Sequence, residues 1–202
     1  TSELGEETPR FSEEAASLLK FHGTYQQEDR DARKAAREAG VAEKSYAFMI
    51  RIKATAGRIP AELWSAVDDL ADRLGNGTIR ITTRQALQLH GVRKSDLRRT
   101  IADVVAHLGS TQGTCGDVVR NVVAPPWPLS DPAYAATRRL AEDLAAEFAW
   151  RSGGYLEIWQ DGEVVHSGEP ADEPIYGTTY LPRKFKIAIT VAGDNSVDVY
   201  TN

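Results

Sequence analysis

Cysteine is nearly absent, with Cys115 the single one in 202 residues. One thiol cannot form a disulfide within the chain, and it cannot supply the thiolates of an all-cysteine metal cluster. Long apolar runs are missing too: none approaches the ~20 residues that a membrane span needs. The basic excess of a nucleic-acid binder is also missing, since the formal net charge is −5. The first residues, Thr1-Ser2-Glu3-Leu4-Gly5-Glu6-Glu7, lack the basic-then-apolar layout of a secretory signal. Together these absences point to a cytoplasmic protein that binds neither nucleic acid nor membrane. The apolar share of 42% and the charged share of 26% are those of an ordinary packed domain. Residues 188–202 read as strand, turn and strand, with no closing helix, the pattern of a piece of a longer polypeptide.

One stretch organises the rest: Thr78-Ile79-Arg80-Ile81-Thr82-Thr83-Arg84-Gln85-Ala86-Leu87-Gln88-Leu89-His90-Gly91. As extended chain it alternates. Ile79, Ile81, Leu87 and Leu89 face one way, while Thr78, Arg80, Thr82, Gln88 and His90 face the other. The polar side holds no carboxylate, so it donates hydrogen bonds and attracts anions. A strand is expected before it over residues 45–54, with Tyr46, Phe48, Ile50 and Ile52 on the apolar face and Arg51 and Lys53 on the other. Pro60 opens a helix that Gly75 closes, with Leu63, Val67, Leu70 and Leu74 as its buried stripe. After the organising stretch, Ser95 caps a helix striped by Leu97, Ile101, Val104, Val105 and Leu108. The order β-α-β-β-α is most of a ferredoxin-like split unit, which puts the chain in the α+β class.

Outside that unit the signals are looser. Ser12 caps a short helix to about Lys20, residues 21–31 read as an ordered loop, and residues 31–39 read as a solvated helix. A glycine-bearing loop begins at Gly113, and Pro125, Pro126 and Pro128 break the chain. Asp131-Pro132 opens a helix to about Trp150, and a hairpin follows around Asp161-Gly162. In Leu181-Pro182-Arg183-Lys184-Phe185-Lys186-Ile187-Ala188-Ile189-Thr190-Val191, the apolar positions point to a core, and Lys184 and Lys186 share the opposite side.

Four segments thus set cations among apolar residues: Arg51 with Lys53, Arg80 with Arg84, Arg120, and Lys184 with Lys186. Such a cation is costly to bury unless paired. Two readings stand. Each could be tied to its own Asp or Glu, or all could converge on one polyanion.

The segments Phe21-His22-Gly23-Thr24-Tyr25-Gln26-Gln27-Glu28-Asp29-Arg30-Asp31, Thr78-Ile79-Arg80-Ile81-Thr82-Thr83-Arg84-Gln85, Gln88-Leu89-His90-Gly91, Asp117-Val118-Val119-Arg120-Asn121-Val122 and Leu181-Pro182-Arg183-Lys184-Phe185-Lys186 resemble the sulfite reductase hemoprotein family. They span nearly the whole chain in family order, and the match is to the N-terminal half of a typical member. The resemblance implies six-electron reduction of sulfite to sulfide on a sirohaem coupled to a [4Fe–4S] cluster. The cluster ligands lie in the C-terminal half, which is the implied partner of this one. A ferredoxin or an NADPH flavoprotein is the implied electron donor.

By the same resemblance, Arg51, Arg120, Lys184 and Lys186 match the basic residues around bound sulfite. Arg80, Thr82, Arg84, Gln88, His90 and Asn121 match residues that hold the sirohaem. No metal ligand is assigned, and Cys115 is read as a buried thiol in the loop before Arg120. The implied divisions are an arm and loop over residues 1–44, a ferredoxin-like half domain over 45–112, and the first part of a mixed α/β sirohaem domain over 113–202. Nitrite reductase of the same family is the alternative, although such enzymes commonly carry asparagine where Lys186 stands. A non-catalytic anion-binding, tetrapyrrole-binding or interaction module is the other.

Overall fold

The computed structural model describes residues 2–40, 44–151, 157–160, 163–167, 173–177 and 181–197. An antiparallel sheet of four strands forms its centre. The strands are β1 (Thr24–Glu28), β2 (Tyr46–Ile52), β3 (Ile79–Ile81) and β4 (Leu87–Val92), and they lie in the order β1-β2-β4-β3. Helices α1 (Glu13–Leu19) and α2 (Arg30–Glu38) flank β1 in sequence. Helix α3 (Ala61–Leu74) connects β2 to β3, and α4 (Leu97–Ala106) follows β4. This is the expected α+β arrangement, with one strand more.

The extra strand corrects the sequence reading of residues 21–31 as loop. Thr24–Glu28 pairs with Tyr46–Ile50 along its full length. Its side chains are mostly polar on both faces, so no apolar alternation announces a strand. Backbone pairing at the sheet edge supplies the order instead.

One face of the sheet packs on α3 and α4. Phe48, Ile50, Ile52, Leu87, Leu89 and Val92 meet Leu63, Val67, Leu70, Leu97 and Val104 in a single apolar cluster. Val92 is on the wrong parity to share a face with Leu87 and Leu89. A bulge corrects this: Phe48 pairs with Val92 and Ile50 with Leu89, so β4 holds one extra residue. Gly91 takes the left-handed backbone there, at φ +79°, and a Cβ would sit 3.0 Å from Asn76 Cβ.

Three further expectations are corrected. Ile81 is 72% exposed, because β3 ends there and the chain turns. Asp96 rather than Ser95 stands at the N-cap of α4, with no side-chain cap bond, after a 3-10 turn over Lys94–Asp96. That helix ends at Ala106, and Leu108 adopts φ +59° and stands 89% exposed, while Gly109 N–H closes the helix end on Val104 O at 2.8 Å. The sequence pattern also gave no sign of Lys94, which is 5% exposed. Its Nζ donates to Thr8 Oγ1 and Arg10 O and lies over the Phe11 ring, so the amine is satisfied where it is buried.

The second half packs on α5 (Pro132–Glu147), whose cap is Asp131, as the sequence indicates. Ala141 and Leu144 meet Val122, Ala124, Ile187 and Ile189. Residues 181–191 are not a regular strand. They touch residues 118–123 through two parallel bridges, Val119 with Phe185 and Val123 with Ala188. Phe185 is largely exposed rather than core. Strands β5 (Glu157–Gln160) and β6 (Glu163–Ser167) form the expected hairpin, but its Asp161-Gly162 turn and the closing residues 198–202 lie outside the described residues. Among the described residues, no helix is long and apolar enough to cross a membrane.

Candidate anion and cofactor site

The sheet face away from α3 and α4 carries the polar residues. Ladder register sets Arg51 of β2 opposite Gln88 of β4, and Gln88 opposite Arg80 of β3. Three side chains therefore form one row across the sheet. The hydrogen-bond network orients the Gln88 amide. Its oxygen accepts from Arg51 Nε at 3.1 Å and Nη2 at 2.6 Å, and its nitrogen donates to His90 Nε2 at 3.1 Å. Gln88 thus fixes the Arg51 fork and the histidine ring together. Arg80 is exposed at the sheet edge.

A second group of residues reaches the same place from the loop after α4. Arg120 donates from Nη1 to Thr114 O at 2.9 Å and from Nε to Gly116 O at 2.7 Å. Arg51 Nη1 donates to the same Thr114 carbonyl at 3.3 Å. Two guanidinium groups distant in sequence are brought onto one oxygen. Arg84 is anchored close by, its Nη2 donating to Asn121 O at 2.6 Å and Ile187 O at 3.2 Å. Asn121 is 2% exposed and donates to Ala54 O and Arg84 O, so its amide staples β2's exit to the Arg84 turn. Thr82 Oγ1 accepts from Ala86 N–H and closes that turn.

Lys184 and Lys186 are both exposed. They flank Phe185, whose N–H donates to Val118 O at 3.1 Å and whose carbonyl accepts from Arg120 N–H at 2.9 Å. The lysines are therefore mounted on the segment that pairs with Arg120, without a hydrogen bond to either arginine among the described residues.

The ion pairs between described residues are Arg33–Glu28, Arg58–Glu142, Arg73 with Asp69 and Asp103, His107–Asp103 and Arg151–Glu147. None involves Arg51, Arg80, Arg120, Lys184 or Lys186. Among the described residues, then, these cations are not tied each to its own carboxylate. Among the described residues, no group of three or more His, Cys, Asp or Glu could hold a metal ion.

The local field records the same imbalance. The Arg84 guanidinium is pulled below its ordinary value, first by burial and then by Arg120. His90 is pulled below the ordinary imidazole value by burial, then by Arg80 and Arg51. A histidine depressed in the folded state binds fewer protons there than when unfolded. Its share of stability is full above the ordinary histidine range and is lost as pH falls through the lowered value. The expected NMR titration midpoint of His90 lies below that of an exposed histidine, and Arg80→Gln moves it upward. A midpoint unmoved by that substitution would count against a field set by the cation row.

The sequence reading passed over Tyr25. Its phenol is raised by burial, then by the neighbouring Cys115 thiol, while Arg120 and Arg51 oppose the rise. Tyr25 thus lies against the same cations. Had residues 24–28 been read as a strand, its parity would have placed it there. Cys115 is fully buried, as expected, and accepts from Thr114 Oγ1 at 3.8 Å.

Fold and site define a ferredoxin-like lobe whose free face is a carboxylate-poor bed of cations. Residues 41–107 match the nitrite/sulfite reductase ferredoxin-like half domain. It is 48% identical to "Sulfite reductase [ferredoxin]" of Synechococcus elongatus, over 99% of this chain and 34% of that protein. It is 45% identical to "Sulfite reductase [NADPH] hemoprotein beta-component" of Staphylococcus saprophyticus, over 96% of this chain and 34% of that protein. The chain thus spans about a third of the length of the curated relatives it matches. In fold it is similar to the Mycobacterium tuberculosis NirA protein, with a TM-score of 0.65 at 15% identity over 93% of this chain and 31% of that one.

Proposed function

We propose that this chain forms the substrate-facing and cofactor-facing bed of a sirohaem-dependent sulfite reductase that reduces sulfite to sulfide with six electrons. The observation that carries the reading is the row Arg80–Gln88–Arg51, joined by Arg120 at the Thr114 carbonyl and free of carboxylates. Likeness to the nitrite/sulfite reductases implies sirohaem and iron–sulfur cofactors, and the donor set suits the first of these. Arg80, Arg84, Gln88 and His90 offer cations and amide or imidazole donors to a tetrapyrrole that carries several carboxylates, while Thr82 and Asn121 hold the turn from which Arg84 projects. Sirohaem, when bound, supplies the iron and the electron path.

This chain's own residues manage charge and protons. Sulfite is a small oxyanion, and an arginine fork binds such an anion without giving up a proton. Arg51 and Arg120 orient it. Each departing oxygen leaves as water and takes protons with it, and Lys184 and Lys186 are the groups of the bed that can give them. Nitrite is the family's other substrate, and lysine at position 186 favours sulfite by resemblance. The relatives' names point to a ferredoxin or an NADPH-linked flavoprotein as donor.

The test is the full-length gene product. It is expected to be coloured by an iron isobacteriochlorin and to oxidise a reduced donor when sulfite is added. A colourless product of full length, or a coloured one inert to sulfite, overturns the reading.

A further inference from the structure

A guanidinium carries five N–H donors. At Arg51 two of them reach the Gln88 amide oxygen, from Nε at 3.1 Å and from Nη2 at 2.6 Å. A third, from Nη1, goes to Thr114 O at 3.3 Å. One N–H is left over on each terminal nitrogen, and these form the edge that the fork turns toward a ligand. Gln88 and Thr114 therefore aim Arg51 without needing to touch what it binds.

The same amide also governs a histidine. A guanidinium accepts no hydrogen bond, so the amide atom facing Arg51 is the oxygen and the atom facing His90 is the nitrogen. That nitrogen donates to His90 Nε2 at 3.1 Å. Nε2 must then offer its lone pair, which puts the ring proton on Nδ1 and requires a neutral imidazole. The surroundings favour one. Burial lowers the proton affinity of the ring, and the charged groups that act on it, Arg80 of β3 and Arg51 of β2, are both positive. Protonation would make Nε2 a donor, facing the donor already there. The amide could accept from it only by rotating, and the rotation would turn its NH2 onto the Arg51 fork, where donors again meet donors. One amide cannot serve a cation on each side with its single oxygen in this geometry.

We propose that Gln88 is a positioning residue whose amide ties the Arg51 fork to the protonation state of His90: the neutral ring holds the fork in place, and the protonated ring releases it. The linkage belongs to this chain's own side chains and stands apart from the sulfite reductase reading; only its consequence for bound sulfite rests on that reading. The test is an acid titration of the 202-residue chain, labelled with nitrogen-15 and followed by NMR. Above the His90 midpoint, the ring nitrogen shifts should place the proton on Nδ1, whereas an exposed histidine prefers Nε2. The Arg51 Nε–H signal, assigned with Arg51→Lys, should lose about tenfold or more of its protection from hydrogen exchange as pH falls through that same midpoint, because a charge-assisted hydrogen bond is lost. Gln88→Glu should uncouple the two groups. A carboxylate accepts from Arg51 and from protonated His90 together, so the protection should persist on both sides of a midpoint that has risen. The first two readings need no substitution at Gln88, so they decide the matter even if that variant fails to fold. The proposal is overturned if the ring proton sits on Nε2, if Arg51 is equally protected above and below the midpoint, or if Gln88→Glu still loses its protection in step with His90.

Discussion

Gly23→Ala is expected to cost about 3–5 kcal/mol of folding stability, a large fraction of what a domain of this size holds. Two effects add. Gly23 sits at φ +72°, where a side chain costs about 1 kcal/mol or somewhat more. A Cβ there would also lie 2.4 Å from Thr111 O, 2.7 Å from Thr114 Oγ1 and 2.8 Å from Arg51 O. Two of these neighbours are backbone oxygens, so the strand or the loop must move. Gly40→Ala is the internal control: its φ is +75° and nothing lies within 4 Å of the added Cβ, so it should show the backbone cost alone. Thermal unfolding separates them, with a fall of about 10 °C for Gly23→Ala and a few degrees for Gly40→Ala. Equal shifts in the two variants would mean that the approach at Gly23 is not tight.

The same substitution reaches the site. Gly23 O accepts from Arg51 N–H at 2.8 Å, and Thr114 supplies the carbonyl that Arg51 and Arg120 share. Whatever gives way for the methyl group is the mount of one arginine or the acceptor of both. Edge strand β1 therefore does more than extend the sheet, since its first turn sets the distance between the sheet and the arginine loop.

That coupling could not be read from the sequence, and the reason is physical. Period-two alternation announced β2 and β4 because each buries one face against α3 and α4. Strand β1 is polar on both sides and is ordered by pairing, which leaves no hydrophobic signature. The β4 bulge hid likewise, since Val92 looks misplaced until Gly91 is seen to add a residue. At the site, the cations Arg51, Arg80 and Arg120 stood out because charge among apolar neighbours is rare. Tyr25 did not, because what marks it is its place beside those cations, a property of the packed chain. Gln88 was picked by resemblance, and the structure gives the physical content: it is the hydrogen-bonded link between Arg51 and His90.

Lys186→Met should lower kcat for sulfite in the full-length protein by about 10²–10⁴, the usual contribution of a positioned proton donor. The fold should hardly notice. The side chain is exposed, and the hydrogen bonds that fix the segment belong to the Phe185 backbone, so stability should change by no more than about 0.5 kcal/mol. An activity loss at unchanged melting temperature and unchanged sirohaem absorbance would therefore locate the defect in the reaction. Lys186→Arg divides the two roles a lysine can play there. Arginine keeps the positive charge that attracts the anion, but it does not release a proton near neutral pH. If Lys186 donates protons, the arginine variant should recover KM while kcat stays low. If the residue contributes charge alone, the arginine variant should recover both and the proton-donor role is wrong. Arg120→Lys provides the complementary case. It removes the Nε and Nη1 bonds to Gly116 and Thr114 that hold the guanidinium, so the anion site loosens and KM should rise more than kcat falls. Opposite responses from two cations on paired segments, one in kcat and one in KM, would separate proton supply from anion orientation within a single bed.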